Sequence, residues 1–379
     1  MVEPFKNFFS ITVIEKMAAI LSAQSADFDA NKFVEIASIN HEENELKQRS
    51  QQIQKALLAT LPNDLDRVAP ILLNALGPEA PIDGGTTSND REGLNGFALM
   101  PFCDFVTEIG IDDWPKAAPL LKEMTKRFSA EFAVRPFIAQ NPVETMKTFA
   151  LWAEDENAHV RRLASEGCRP LLPWGIRLHQ FVKDPAPILP ILEKLKDDPT
   201  EYVRRSVANN LNDIAKNQPD LIAEIATNWM QGAHKNRQRL VRHACRTLIK
   251  NGHPPTLAAL GYKPINLAKS DFEIKTKQVE FGTALIFSYY LAPSDAAQHP
   301  YILDFAIHFK KANGELAPKV FKLSTGKVSG DAPLTGEKTV AIKPITTRKF
   351  YPGEHKLELL LNGQSLGTKE FLLKMDATA

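Results

Sequence analysis

The feature that most constrains this chain is a change of hydrophobic period near residue 263. Upstream of it, apolar residues recur at helical spacing. Leu65, Val68, Ile71, Leu72, Ala75 and Leu76 form one stripe, and Val203, Val207, Leu211, Ile214 and Ala215 another. Asn141-Pro142-Val143-Glu144 and Asp198-Pro199-Thr200-Glu201 each read as a helix start, with a capping residue, a proline and then a glutamate. Pro170 and Pro173 close the helix expected to begin near Asn157. Downstream, short alternating runs replace the helical period. Leu303, Phe305, Ile307 and Phe309 point one way with Asp304 and His308 between them, and Ala312-Asn313-Gly314 makes the turn that follows. Asn362-Gly363-Gln364-Ser365 connects two further runs as a hairpin. About seven such runs in roughly 115 residues suit an immunoglobulin-like sandwich, and Tyr351-Pro352-Gly353 resembles a tyrosine corner. Gly261 and Pro264 place the boundary within 262–270, giving a helical domain at 1–263 and an all-β domain at 264–379.

The helical part repeats itself. Val160-Arg161-Arg162, Val203-Arg204-Arg205 and Val241-Arg242-His243 recur at separations of 43 and 38 residues, after a fainter copy at Val134-Arg135. A period near 40 residues fits HEAT or armadillo-like helical repeats stacked as a solenoid. The segment 77–95, rich in Gly, Asp, Ser and Thr, reads as a long loop interrupting the array.

A net charge of +1 hides an asymmetry: residues 160–250 hold 16 Lys plus Arg against 9 Asp plus Glu, and 231–250 hold six basic residues and no acid. Because repeats superpose equivalent positions, the basic pairs are expected to form a stripe suited to a nucleic-acid backbone. Arg135, Arg161, Arg162, Arg169, Arg204, Arg205, Lys235, Arg237, Arg242 and His243 are its candidate contacts. In the C-terminal domain Lys310, Lys311, Lys327, Arg348 and Lys349 are candidates for a second DNA clamp. The plain alternative is that these arginines bridge adjacent helices and these lysines are simply solvated.

Other chemistries find no support. The three cysteines, Cys103, Cys168 and Cys245, are scattered and read as small buried hydrophobes in a reduced, cytoplasmic protein. The nine histidines lack ligand spacing, so no metal is expected. No glycine loop has the context of a phosphate cradle, no cofactor is expected, and no run approaches the roughly 20 apolar residues of a membrane helix. Trp114, Trp152 and Trp229 fall in apolar helical patterns and read as core.

The most informative stretch is 160–175. On a helix Arg162 and Glu166 lie four apart and Arg169 three further on, so a glutamate sits between two guanidiniums and stays ionised. Trp174 follows two prolines on a rigid exit. A second carboxylate, Glu131, precedes Arg135 by four in Phe128-Ser129-Ala130-Glu131-Phe132-Ala133-Val134-Arg135. Each pair could be an ordinary intrahelical ion pair of about 0.2–0.5 kcal/mol.

These two segments, above all Ser165-Glu166-Gly167-Cys168-Arg169-Pro170 running on to Leu172-Pro173-Trp174, resemble the AlkC-type alkylpurine DNA glycosylases, which are built from HEAT-like repeats. The C-terminal half is similar to the immunoglobulin-like extension of one branch of that family. The resemblance implies a monofunctional glycosylase of base excision repair that releases cationic alkylated bases such as 3-methyladenine from double-stranded DNA, as a monomer and without full base flipping. Glu131, Glu166, Trp174 and, on weaker support, Asp213 would be the catalytic residues. A non-catalytic DNA-binding or protein-interaction scaffold is the alternative.

Overall fold

The computed structural model describes residues 4–82, 92–346 and 348–375. The chain divides into two compact units, Met1–Asn217 and Gln218–Ala379. The first carries helices α1 (Ile11–Gln24), α2 (Ala30–Ala37), α3 (Leu46–Thr60), α4 (Leu65–Ala75), α5 (Met100–Gly110), α6 (Trp114–Thr125), α7 (Val134–Gln140), α8 (Pro142–Trp152), α9 (Ala158–Glu166), α10 (His179–Lys183), α11 (Leu189–Leu195) and α12 (Glu201–Ile214). The second begins with α13 (Pro219–Met230), α14 (Lys235–Ala244), α15 (Arg246–Lys250) and α16 (Pro254–Ala259), then turns to strands. The chain is thus a helical-repeat region followed by a β-sandwich. The split between compact units falls inside the helical run, whereas helix gives way to strand between Ala259 and Leu267.

Successive copies of the repeated motif lie on neighbouring helices. Val160 of α9 and Val203 of α12 are fully buried, and the two helices pack together. Ser165 Oγ and Ser206 Oγ lie 3.0 Å apart and Asn210 Nδ2 donates to the Ser165 carbonyl at 2.8 Å, tying α12 to α9. The start at Pro142 is as the sequence suggests, with Asn141 Oδ1 accepting from the Glu144 amide. The start at Asp198 is not: α12 begins at Glu201. Asp198 is drawn instead into an ion pair with Arg161, and its Oδ1 accepts from the Thr200 amide at 2.8 Å and the Thr200 hydroxyl at 2.7 Å. The helix starting after Asn157 closes at Glu166, before the prolines expected to end it.

Trp114, Trp152 and Trp229 are core residues, as their apolar surroundings in sequence imply. Trp114 sits 4.9 Å from Phe137 and 5.7 Å from Trp152, ring centre to ring centre. The three cysteines are free and buried, and burial pushes the Cys168 and Cys245 thiols up to about 12. Of the segment read as a long loop, 83–91 lies outside the described residues. Its flanks meet in a bridge between Leu76 and Leu94, with the Leu94 amide 2.8 Å from the Ala75 carbonyl. Among the described residues no helix is long and apolar enough to cross a membrane.

The strands of the second unit are β1 (Leu267–Ile274), β2 (Gln278–Glu280), β3 (Ala284–Pro293), β4 (His299–Lys310), β5 (Leu316–Val328), β6 (Leu334–Ala341), β7 (Gly353–Leu361) and β8 (Gln364–Lys374). They form a three-stranded sheet in the order β1-β3-β6 and a five-stranded sheet in the order β2-β8-β7-β4-β5. Neighbours are antiparallel except β2 and β8. The alternation in β4 is realised: Leu303, Phe305, Ile307 and Phe309 join Phe287, Leu357, Leu359 and Phe371 in the inter-sheet core. The opposite face of β4 is covered too, since Asp304 and Ala306 are buried beside a hollow that Ile249, Asn251 and Gly252 help to line. At the corner before β7 the tie comes from His355, whose ring nitrogens meet the Tyr351 carbonyl at 3.0 Å and the Lys310 amide at 3.2 Å.

Asn362 and Gly363 form the two-residue hairpin turn with φ of 47° and 77°. Asn362 pins it, accepting from the Ile302 amide at 2.8 Å and donating to the Lys263 carbonyl at 2.7 Å. A Cβ at Gly363 would lie 2.7 Å from the Gly252 carbonyl oxygen and 2.7 Å from Leu257 Cδ1. Gly363→Val is therefore expected to cost about 2 kcal/mol or more, through both backbone strain and clash. A melting curve that does not shift would refute this account of the turn.

Candidate active site

Two short segments bring acids and guanidiniums together in the first unit. Glu131 lies in the turn before α7, so its spacing to Arg135 is not helical, and the two do not form the expected pair. Glu131 Oε2 accepts instead from Arg162 Nη1 at 2.9 Å and from Ser129 Oγ at 2.9 Å. Among the described residues its Oε1 has no partner. Arg162 and Glu166 sit on α9 one turn apart, Nη2 to Oε1 3.6 Å, so one guanidinium bridges the two carboxylates. Arg169 Nη1 reaches Glu166 Oε1 at 2.6 Å, and Ser206 Oγ donates to Oε2 at 2.5 Å. Burial opposes ionisation of Glu166, but Arg162, Arg169 and the Ser206 hydroxyl together hold its carboxyl below the ordinary range. It is a fixed anion at neutral pH, its geometry set from both oxygens.

Asp213 stands one step back. It is only 2% exposed; its Oδ2 accepts from Arg169 Nε at 2.9 Å, and Lys216 Nζ lies 3.1 Å from Oδ1. It is not among the residues that line the cavity. The sequence reading that made it a further catalytic carboxylate is corrected to that extent: Asp213 reaches the site through Arg169.

Both glutamates open onto a cavity of about 810 Å³, whose wall includes Arg162, Arg169, Trp174 and Tyr202. Trp174 is 64% exposed and adopts φ of 66°, a left-handed conformation that costs a non-glycine residue about 1–2 kcal/mol. The loop holds it there from two sides. Lys47 Nζ donates to the Trp174 carbonyl at 2.8 Å. Beneath, Arg135 Nε and Nη2 donate to the Ile176 carbonyl at 2.8 and 2.5 Å, and Nη1 to the Gly167 carbonyl at 2.8 Å. Arg135 is completely buried, and a Cβ on Gly175 would come within 3.1 Å of its Nε. It therefore cannot be the backbone contact the charge pattern suggested; it shapes the loop that presents the indole.

Other predicted contacts are also spent internally. Arg161 makes a two-point pair with Asp198, at 2.6 and 3.2 Å, and Arg204 Nη1 donates to the Asp198 carbonyl at 2.5 Å. Arg162 and Arg169 hold carboxylates. Arg205 stays exposed, 3.6 Å from Glu201. In the second unit α14 exposes Lys235, Arg242 and His243 and carries a partly buried Arg237; Arg242 also donates to the Tyr262 hydroxyl at 2.9 Å. Lys310, Lys311, Arg348 and Lys349 gather around one hollow of about 350 Å³ in the sandwich, which Lys327 does not line.

The sequence reading missed Tyr202 and His159. The Arg162 guanidinium lies 5.0 Å from the centre of the Tyr202 ring, and His159 packs edge-on against it at 5.4 Å. The signal was available: His159 precedes Val160 as Tyr202 precedes Val203, so the repeat register sets the two rings at equivalent positions. Ser129, Ser206 and Lys47 carried no such signal.

Comparison with known proteins places these features. Residues 124–248 match the family model described as "DNA alkylation repair enzyme", and residues 268–375 match "Uncharacterised protein YhaZ, C-terminal Ig-like domain". The chain is 34% identical over 368 residues to "Uncharacterized protein YhaZ" of Bacillus subtilis (strain 168), covering 97% of this chain and 98% of that one. Among solved structures it is similar to the alkylpurine DNA glycosylase AlkC of Pseudomonas fluorescens bound to DNA containing an abasic site analog. That match has a TM-score of 0.82 and 31% identity, and covers 98% of this chain and all of the other.

Proposed function

This chain belongs to the AlkC-type family of DNA alkylation repair enzymes, and from that premise we propose that it is a monofunctional glycosylase hydrolysing the N-glycosidic bond of cationic alkylated bases such as 3-methyladenine. The observation that carries the proposal is the paired carboxylates, Glu131 and Glu166, bridged by one guanidinium in the wall of a cavity beside an exposed, strained tryptophan.

An N-alkylated base already bears the positive charge that makes it a good leaving group, so general-acid help is unnecessary. The C1′–N bond breaks with its electron pair going to the base, and the sugar becomes oxocarbenium-like. Water then adds to C1′ and gives up a proton. Glu131, with Oε1 open, suits the orientation of that water and acceptance of its proton. Glu166, with both oxygens engaged, supplies fixed negative charge opposite the developing cation. The Trp174 indole offers a cation–π surface to the sugar or base. Asp213 is a positioning residue acting through Arg169. The product is free base and an abasic site in double-stranded DNA, as base excision repair requires.

In this reading the helical array, 1–263, is HEAT-like and grips the DNA backbone, and 264–379 adds a second contact through Lys310, Lys311 and Lys349. Arg205, Lys235, Arg242 and His243 are the phosphate contacts. The chain works as a monomer and attacks the sugar without fully flipping the base. The test is release of 3-methyladenine from methylated duplex DNA by the purified chain, followed by chromatography of the freed base. Tight, salt-sensitive DNA binding without base release would instead favour a non-catalytic scaffold.

A further inference from the structure

A third carboxylate faces the same cavity and has no part in the chemistry above. Asp104 sits midway along α5, where Phe102, Cys103, Phe105, Val106 and Thr107 are all buried. Its side chain is partly buried and lines the cavity with Phe97, Met100, Phe128 and Phe132. Among the described residues no donor reaches its oxygens. Lys47 contributes an attractive charge but no ion pair, and its ammonium is committed to the Trp174 carbonyl. Burial pushes the Asp104 carboxyl up to about 6 against that attraction, so near neutral pH it is an ionised group without a partner. Such a group costs folding stability. Facing an apolar-walled cavity, it is suited to a cation brought in by a ligand, because low local polarity strengthens the attraction.

We propose that Asp104 reads the charge of the damaged base: its carboxylate accepts the positive edge or exocyclic amine of the alkylated base, while Glu131 and Glu166 serve the sugar. The assignment rests on the glycosylase reading of this cavity and adds a division of labour within it. Asp104 is then the residue that separates cationic lesions from neutral bases of the same shape, since a neutral base leaves its charge unmet.

Binding to two duplexes tests this. Each carries its base on a 2′-fluoro sugar that resists cleavage; one base is a permanently cationic N-methylated purine, the other its uncharged 3-deaza isostere. The wild-type chain is expected to prefer the cationic duplex. Asp104→Asn is expected to lose about tenfold or more of that preference, the scale of one charge-assisted hydrogen bond. Its affinity for a duplex with an abasic analogue should be unchanged, and its melting temperature equal or higher, because a partnerless charge has gone. Asp104→Glu should keep part of the preference. A preference that survives Asp104→Asn overturns the assignment, as does a wild-type chain with no preference. If that same wild-type preparation still releases 3-methyladenine, only the role of Asp104 falls; if it releases none, the glycosylase reading falls as well.

Discussion

Glu166→Gln is expected to slow release of 3-methyladenine by about a hundredfold to a thousandfold while changing DNA affinity severalfold at most. The magnitude is that of removing one fixed electrostatic partner from a developing charge. The asymmetry follows from where Glu166 sits. It is almost wholly enclosed, touched by Arg162, Arg169 and Ser206, so the substitution removes charge and leaves shape nearly intact. DNA in the ground state, with its neutral sugar, gains little from this anion; the oxocarbenium-like sugar gains a great deal. Single-turnover release rates beside equilibrium binding to an abasic-analogue duplex separate the two effects. Equal loss in both would mean that Glu166 is structural.

Arg162→Met is expected to do more, because among the described residues Arg162 is the cation shared by Glu131 and Glu166. Its loss leaves two enclosed carboxylates without the charge between them, a defect of about 3–5 kcal/mol when one partner of a buried pair is removed. The pH dependence has a definite sign. In the native chain the Glu166 carboxyl titrates below its ordinary value despite burial, owing to Arg162 and Arg169. It therefore contributes stability above its unfolded pKa, and that contribution is lost as pH falls through the folded one. Without Arg162 the folded value rises, so the acid limb of both the melting temperature and the rate of base release should move to higher pH. A variant whose melting point falls while its acid limb stays put would show that Arg162 does not set the ionisation of this pair. Arg162→Lys keeps charge but not the two-point fork, and should recover only part of either property.

Much of this architecture was legible without coordinates because it rests on local, periodic chemistry. Helical and alternating stripes, the Asn141 cap and the Asn362-Gly363 turn each depend on residues within a few positions of one another. The Arg162–Glu166 pair was legible for the same reason, since helix geometry sets a spacing of four on one face, whereas Arg169 reaches Glu166 from just past the end of α9. The start of α12 was misplaced because Asp198 had a competing offer from Arg161, a residue 37 positions away. The tryptophans illustrate the same boundary: three lie in apolar patterns and are buried, while Trp174 was set apart by its prolines.

What the sequence determined by itself, then, is the order of helical repeats and sandwich, the repeat register, and the presence of an ionised glutamate held between two nearby arginines. What only the tertiary structure decided is the fate of each charge. Arg162 and Arg205 hold the same place in consecutive copies of one motif, yet the first is enclosed between two carboxylates and the second is exposed. Arg135 and Glu131 stand four apart, yet the arginine turns inward to the Gly167 and Ile176 carbonyls while the glutamate joins Arg162. The physical reason is that a charge takes the partner that satisfies it once water is excluded. Which partner that is depends on how elements 30 to 40 residues apart in the chain pack together, and no local pattern encodes it.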